Sequence, residues 1–193
     1  QTSEAWTWER MALTRARIVV DGGLASRLDD AITAVIHAAG PAEMLRADAA
    51  DMRARLERDR PARSFWDIKL RPGGLIDIEF IAQIGQLVSG QRLGADTVGA
   101  LERLALTKWL APGDARTLQD AHELYGDLTQ ILRAAHGADF DPEKASEPFA
   151  RRLCLAAHCE DLACAADRLD EHTRRVRAIF ERAIGPVRFR ATD

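Results

Sequence analysis

The densest chemistry in this sequence is the stretch Lys69-Leu70-Arg71-Pro72-Gly73-Gly74-Leu75-Ile76-Asp77. Two cations flank a Pro-Gly-Gly turn that opens a helical pattern, so cationic side chains and free N–H groups could converge there on an anion such as phosphate. The spacing is neither a P-loop nor a dinucleotide fingerprint, and turns of this kind also cap helices with no ligand present. Asp77 is open to two uses. With Gly74 as N-cap it stands at N3, where a carboxylate complements the helix dipole and the free donors. Alternatively it is a functional acid set into the apolar arc of Ile78, Ile81, Ile84 and Leu87. Glu79, Gln83 and Gln86 form only a narrow polar strip on that helix.

A second acid draws the same question. At about 100° per residue, a helix over Ser3 to Val20 puts Trp6, Trp8, Ala12, Leu13, Val19 and Val20 on one apolar arc, with Glu9 inside it. Thr7, Arg10, Thr14 and Arg17 make the opposite, solvated strip, and Arg15 sits at the apolar edge near Trp8. An ionised carboxylate on an apolar face is costly unless a cation or donor meets it, so Glu9 is expected to have a partner, structural or functional.

These groups need elements to hold them. Ala and Leu outnumber the β-branched residues, and apolar spacing is helical almost throughout, so the fold is expected to be all-α, a bundle of about seven to nine helices. After the first helix, Asp21-Gly22-Gly23 makes a turn. The second helix carries Leu24, Leu28, Ile32 and Ile36. The third carries Leu45, Ala49, Met52 and Leu56 and breaks at Arg60-Pro61. Phe65 to Leu70 is the one stretch where strand chemistry competes. Helices follow over Leu75 to Ser89, Asp96 to Leu106 and Gly113 to Ala135. Another starts at Asp141-Pro142-Glu143, and a long last one ends before Gly185-Pro186. The 193 residues suffice for one domain, 1–193, with a looser division near 137–141.

Composition removes several function classes. Twenty-seven Lys and Arg against thirty Asp and Glu leave no global basic field for nucleic acid, and the charge of Arg174, Arg175, Arg177, Arg182, Arg188 and Arg190 is offset by nearby Asp167, Asp170, Glu171 and Glu181. No apolar run could span a bilayer, and no secretory segment opens the chain, which makes the cytoplasm the expected location. Cys154, Cys159 and Cys164 are expected to be small helix residues, since no pattern around them completes a zinc site. The opening at Gln1 within a helical pattern suggests a fragment of something longer.

Two motifs together carry a resemblance. Ala5-Trp6-Thr7-Trp8-Glu9-Arg10-Met11-Ala12-Leu13-Thr14-Arg15-Ala16-Arg17-Ile18-Val19, followed some fifty residues later by Trp66-Asp67-Ile68-Lys69-Leu70-Arg71-Pro72-Gly73-Gly74-Leu75-Ile76-Asp77-Ile78-Glu79-Phe80-Ile81-Ala82-Gln83, resembles glutamine synthetase adenylyltransferase. Beyond about Leu87 the likeness is only to helical filler. A uridylyltransferase family with a similar Lys, Gly-Gly and Asp arrangement is the nearest relative, without the Trp-Thr-Trp-Glu opening.

The resemblance implies two nucleotidyltransferase halves in one long chain, each a catalytic domain followed by a helical one. One half attaches AMP to glutamine synthetase and the other removes it. The Trp-Thr-Trp-Glu form is more similar to the C-terminal, adenylylating half. A transferase of this kind needs a Gly-Ser turn followed by an Asp-x-Asp pair to hold the metals that clamp a triphosphate, and no such segment exists in this sequence. It therefore resembles the helical domain alone. No catalytic or metal-ligating residue and no cofactor are expected in it, and it is expected to be inert by itself, with ATP and Mg2+ belonging to the full-length enzyme. The implied partners are its own nucleotidyltransferase domain, glutamine synthetase and the PII signalling protein, with glutamine as effector. Lys69, Arg71, Gly73 and Gly74 would approach nucleotide phosphates or the domain junction, while Glu9, Arg15 and Asp77 would brace that junction. The competing expectation is a protein-interaction bundle that binds PII and never meets nucleotide.

Overall fold

A computed structural model describes residues 5–135 and 140–189. Among them lie eight α-helices and no strand: α1 (Thr7–Thr14), α2 (Ala25–His37), α3 (Ala42–Asp59), α4 (Leu75–Ser89), α5 (Thr97–Leu106), α6 (Pro112–Ala135), α7 (Glu147–Ala156) and α8 (Leu162–Ala183). The all-α multi-helix bundle expected from the spacing is what forms.

The bundle is organised around α4. An all-round apolar helix is stable only if every side is covered, and α4 packs against α1, α2, α3, α5, α6 and α8. Ile78, Ile81, Ile84 and Leu87 are fully enclosed. The polar strip expected on this helix is not solvated, because Gln83 and Gln86 are buried with the rest. Gln86 Oε1 accepts the Leu93 N–H at 2.7 Å, which pins the connection to α5. Gly90, left-handed at φ 60°, ends the helix as a C-terminal cap. Leu118 and Leu128 of α6 meet Leu169, Val176 and Phe180 of α8 in the same continuous core.

Five local expectations fail. The first helix, expected to reach Val20, stops at Thr14, where the β-branched run Ile18-Val19-Val20 approaches and Arg92 Nη2 takes the Ala16 carbonyl at 2.9 Å. Its wheel is also turned the other way. Thr7, Arg10 and Thr14 of the supposed solvated strip are buried, while Trp6 is 71% exposed and Trp8 57%. Each inward polar side chain makes a hydrogen bond: Thr7 donates to Asp48, Arg10 to the Ala39 carbonyl, and Thr14 Oγ1 to Met11 O at 2.7 Å.

The stretch Phe65 to Leu70 is not extended. Asp67 N–H bonds Ser64 O at 3.1 Å and Leu70 N–H bonds Asp67 O at 3.1 Å, so successive turns satisfy the backbone that no neighbouring strand could serve. Trp66, Asp67 and Ile68 are buried in succession, which the alternation of a strand would forbid.

Asp141-Pro142-Glu143 begins only a 3₁₀ turn, Pro142–Lys144, capped by Asp141, before α7 starts separately. The chain then breaks again between α7 and α8. Cys159 falls in that break rather than in a helix, while Cys154 and Cys164 are helical as expected. The possible division near 137–141 falls mostly outside the described residues.

One close approach explains the glycine pair. Gly73 adopts φ +75°, and a Cβ there would lie 1.9 Å from the carbonyl oxygen of Thr173 on α8. A Cβ on Gly74 would lie 2.1 Å from the Ile68 carbonyl oxygen. The turn is therefore wedged between α8 and its own preceding segment, and only two glycines fit. Gly73→Ala is expected to destabilise the fold by at least about 2 kcal/mol. Gly126→Ala, in α6 with open space around it, is expected to stabilise by about 0.5–1 kcal/mol. Urea unfolding midpoints at unchanged slope measure both.

Candidate functional site

The turn from Lys69 to Gly74 enters α4 over a buried ion network. Asp77, wholly inaccessible, receives Arg53 Nε on Oδ1, the Gly73 N–H on Oδ2 at 2.8 Å and Arg177 Nη1 on Oδ2 at 3.1 Å. Arg53, also at zero exposure, extends the other edge of its guanidinium to the Leu70 carbonyl at 3.1 Å and the Arg71 carbonyl at 3.2 Å. Glu57 completes the charge balance, 3.2 Å from Arg53 Nη1 and 2.7 Å from Arg177 Nη1. One carboxylate thus ties α3, the turn, α4 and α8 together.

Burial works against the charge of Arg177, but Asp77 and Glu57 outweigh it and raise its pKa above the ordinary arginine value. Tyr125 of α6 reaches the same turn, its hydroxyl donating to Gly73 O at 3.0 Å. Burial pushes that phenol well above its ordinary pKa, and the nearby Asp77 adds to the rise, so it is a fixed donor at neutral pH.

Asp77 is therefore both things considered for it in part: it accepts a backbone N–H at the mouth of α4, and it is a buried acid with cationic partners. Its partners were not legible among the charged residues weighed from the sequence. A signal existed for Arg53, which continues the row Leu45, Ala49, Arg53 at i+4 steps on the buried side of α3. Met52 and Leu56, placed on that stripe instead, are only partly buried. Tyr125 likewise continues the buried row of α6, after Leu118 and Ala121 and before Leu128 and Leu132.

The N-terminus of α4 does not offer free donors to an anion, contrary to expectation. Gly73 N–H goes to Asp77, Gly74 N–H to Arg71 O at 2.9 Å, Leu75 N–H to Ile68 O at 3.1 Å and Ile76 N–H to Lys69 O at 3.4 Å. The turn consumes its own hydrogen-bonding capacity.

Lys69 and Arg71 do not converge either. Arg71 lies over the Phe65 ring at 4.2 Å and donates to Phe65 O at 3.0 Å and to Asp170 at 3.2 Å. Burial lowers its pKa, while Asp170 opposes the shift. Lys69 is exposed and borders a different cavity, of about 310 Å3, on the other side of the turn.

Glu9 needs no cation from a neighbouring helix. Its Oε2 accepts the Trp6 N–H at 2.8 Å, closing the first turn of α1 at the protein surface. Arg15, half exposed, makes a surface contact with Glu79 at 3.4 Å. The C-terminal arginines are committed to acids: Arg174 to Asp170, Arg175 to Glu171, Arg182 to Asp114. Among the described residues no group of three or more His, Cys, Asp or Glu is placed to hold a metal ion, and no helix is long and apolar enough to cross a membrane.

A bundle whose central helix is entered through a Lys-x-Arg-Pro-Gly-Gly turn braced by a buried acid defines a class of helical domain. Over residues 44–184 the chain matches the family described as GlnD PII-uridylyltransferase, and it belongs to that family. It is also similar to proteins described as bifunctional glutamine synthetase adenylyltransferase/adenylyl-removing enzyme. The one from Rhodopseudomonas palustris (strain BisB5) is 40% identical over 190 residues, 96% of this chain and 19% of the relative. That from Mesorhizobium japonicum is 38% identical over 187 residues, 94% of this chain and 19% of the relative. That from Rhizobium meliloti (strain 1021) is 34% identical over 188 residues, 94% of this chain and 19% of the relative. The chain thus spans about a fifth of the length of the curated relatives it matches.

Asp77→Ala is expected to cost about 3–5 kcal/mol, because it strands the Arg53 guanidinium in the core. Pairing Asp77→Leu with Arg53→Met is expected to restore most of that loss. Equilibrium denaturation of the single and double variants provides the comparison.

Proposed function

We propose that this chain is the helical domain that follows a nucleotidyltransferase domain in a glutamine synthetase adenylyltransferase, in its C-terminal, adenylylating half. The observation that carries this is the outward face of α1. Trp6 and Trp8 are more than half exposed, and Val19 and Val20 beyond the helix are about 80% exposed, while the polar face of the same helix is buried. Large apolar side chains left exposed along one segment in this way mark an interface. It lies in the Trp-Thr-Trp-Glu motif, and the relatives are about five times as long as the matched segment, so further protein is on hand to cover it.

In this reading the domain closes on its catalytic neighbour and passes on signals from PII and from glutamine. It carries no transferase chemistry of its own, since Mg2+ and ATP belong to a segment, a Gly-Ser turn followed by an Asp-x-Asp pair, that this sequence lacks. Glutamine synthetase is the substrate of the whole enzyme, and the cytoplasm its location. Lys69 and Arg71 lie toward nucleotide phosphates or the junction, carried by Gly73 and Gly74. Glu9 shapes the start of α1, Arg15 holds its end to α4 through Glu79, and Asp77 braces the arrangement from within.

The test is reassembly of this chain with the separately produced catalytic domain. Trp6→Ala and Trp8→Ala are each expected to weaken association at least tenfold, as central aromatic anchors do. Unchanged association would remove the docking reading. Tight binding of PII by the chain, with no association to the catalytic domain, would favour the interaction bundle instead.

A further inference from the structure

Helix α2 owes little of its place to the core. Of its thirteen residues only Ile36 is buried, with Ile32 and Val35 partly so, although a helix of this length is marginal in water unless it buries an apolar face. Polar contacts from the α4–α5 connection supplement that anchor. Arg92, itself largely enclosed, donates through Nη2 to the Ala16 carbonyl at 2.9 Å and through Nη1 to Asp29, and His37 Nδ1 stands 3.3 Å from the Gly90 carbonyl oxygen. These contacts engage the side of α2 that carries Asp29, Ile36 and His37.

The other side carries Leu24, Leu28 and Ala31, four and three residues apart and so in one row along the helix. Leu24 is 50% exposed and Leu28 49%, and Ala31 is exposed with them. The row does not stand by itself. Val20, 81% exposed, lies four residues before Leu24 across the Gly22-Gly23 turn, and α1 packs directly against α2. Two half-exposed leucines and an alanine fall well short of the roughly 800 Å2 that each partner buries in a stable complex. They have the size of an extension to a larger interface, and the nearest one in the chain is that of Trp6, Trp8, Val19 and Val20.

We propose that the nucleotidyltransferase domain that covers α1 also covers the row Leu24, Leu28 and Ala31 of α2, with Val19 and Val20 between the two patches in the chain. This rests on the domain assignment made above. The relatives favour that occupant over a second copy, because the match takes in 96% of this chain but 19% of the relative, so cover for the row is at hand within one longer polypeptide. Two surfaces tethered in one polypeptide meet at high effective concentration, which keeps even a modest patch covered. Helix α2 is then a presented element, weakly anchored in the chain alone and stabilised when the domain docks.

Amide hydrogen exchange tests this by comparing the chain alone with the longer protein that also carries the nucleotidyltransferase domain. Residues 19–31 are expected to exchange at least tenfold more slowly in the longer protein. Leu28→Gln and Ala31→Gln in that protein are each expected to speed their exchange at least fivefold. Glutamine is a good helix former, so both variants are expected to keep the circular dichroism of the chain alone, which separates lost docking from lost folding. Leu155→Gln, at a position 75% exposed on α7, is expected to leave residues 19–31 unchanged, and an equal effect there overturns the proposal. Protection of residues 7–14 without protection of 19–31 also overturns it, while leaving the docking of α1 standing. Protection of neither segment removes both. Protection of 19–31 that appears in the chain alone as its concentration rises assigns a second copy as the occupant and overturns the proposal as well.

Discussion

A single carboxylate buried at zero exposure has to be balanced, and the way Asp77 is balanced dictates how this bundle closes. Its oxygens receive a guanidinium from α3, a guanidinium from α8 and a backbone N–H from the turn before α4. Removing an ionised group from water costs several kcal/mol, repaid only when the partners are well aimed and their remaining donors are also met. Arg53 gives its Nη2 to the Leu70 and Arg71 carbonyls, which fixes the turn itself, while its Nη1 lies 3.2 Å from Glu57 as an ion pair without a hydrogen bond. The network is a poor source of net stability and a strong source of specificity, since few other arrangements of these helices would satisfy all its members.

The glycine pair follows from the same constraint. Once Asp77 draws in the Gly73 N–H and Tyr125 holds the Gly73 carbonyl, the turn lies flat against the Thr173 backbone. There is no volume left for a side chain. A motif that looks like a ligand-binding loop in one dimension is thereby a structural crossing, with its hydrogen bonds turned inward. Lys69 itself borders a separate cavity on the other side of the turn.

Helix α1 shows the converse economy. It hides threonines and an arginine, each hydrogen-bonded, and presents tryptophans to solvent. Judged as an isolated domain the helix is inside out, but judged as one side of a larger interface it is ordinary, because hydrogen-bonded polar groups are acceptable inside and indole surface is well suited to a partner.

Much was legible in one dimension. The helical periodicity, the boundaries of α4 and of α5, the capping aspartates and the breaking Pro and Gly residues are local properties, and each is decided by the residue types within a turn or two. So was the oddity of Asp77, since a charge amid isoleucines is conspicuous wherever it folds. What the chain alone could not decide was direction: which face of α1 is covered, whether Arg53 points in or out, and which of two neighbouring cations meets Asp170 and which a cavity. Periodicity identifies a stripe, but only the packing of α3, α4 and α8 against one another determines whether water or protein stands on its far side. A buried polar face with every bond made is as stable as an apolar one, and that completion of bonds exists only in three dimensions.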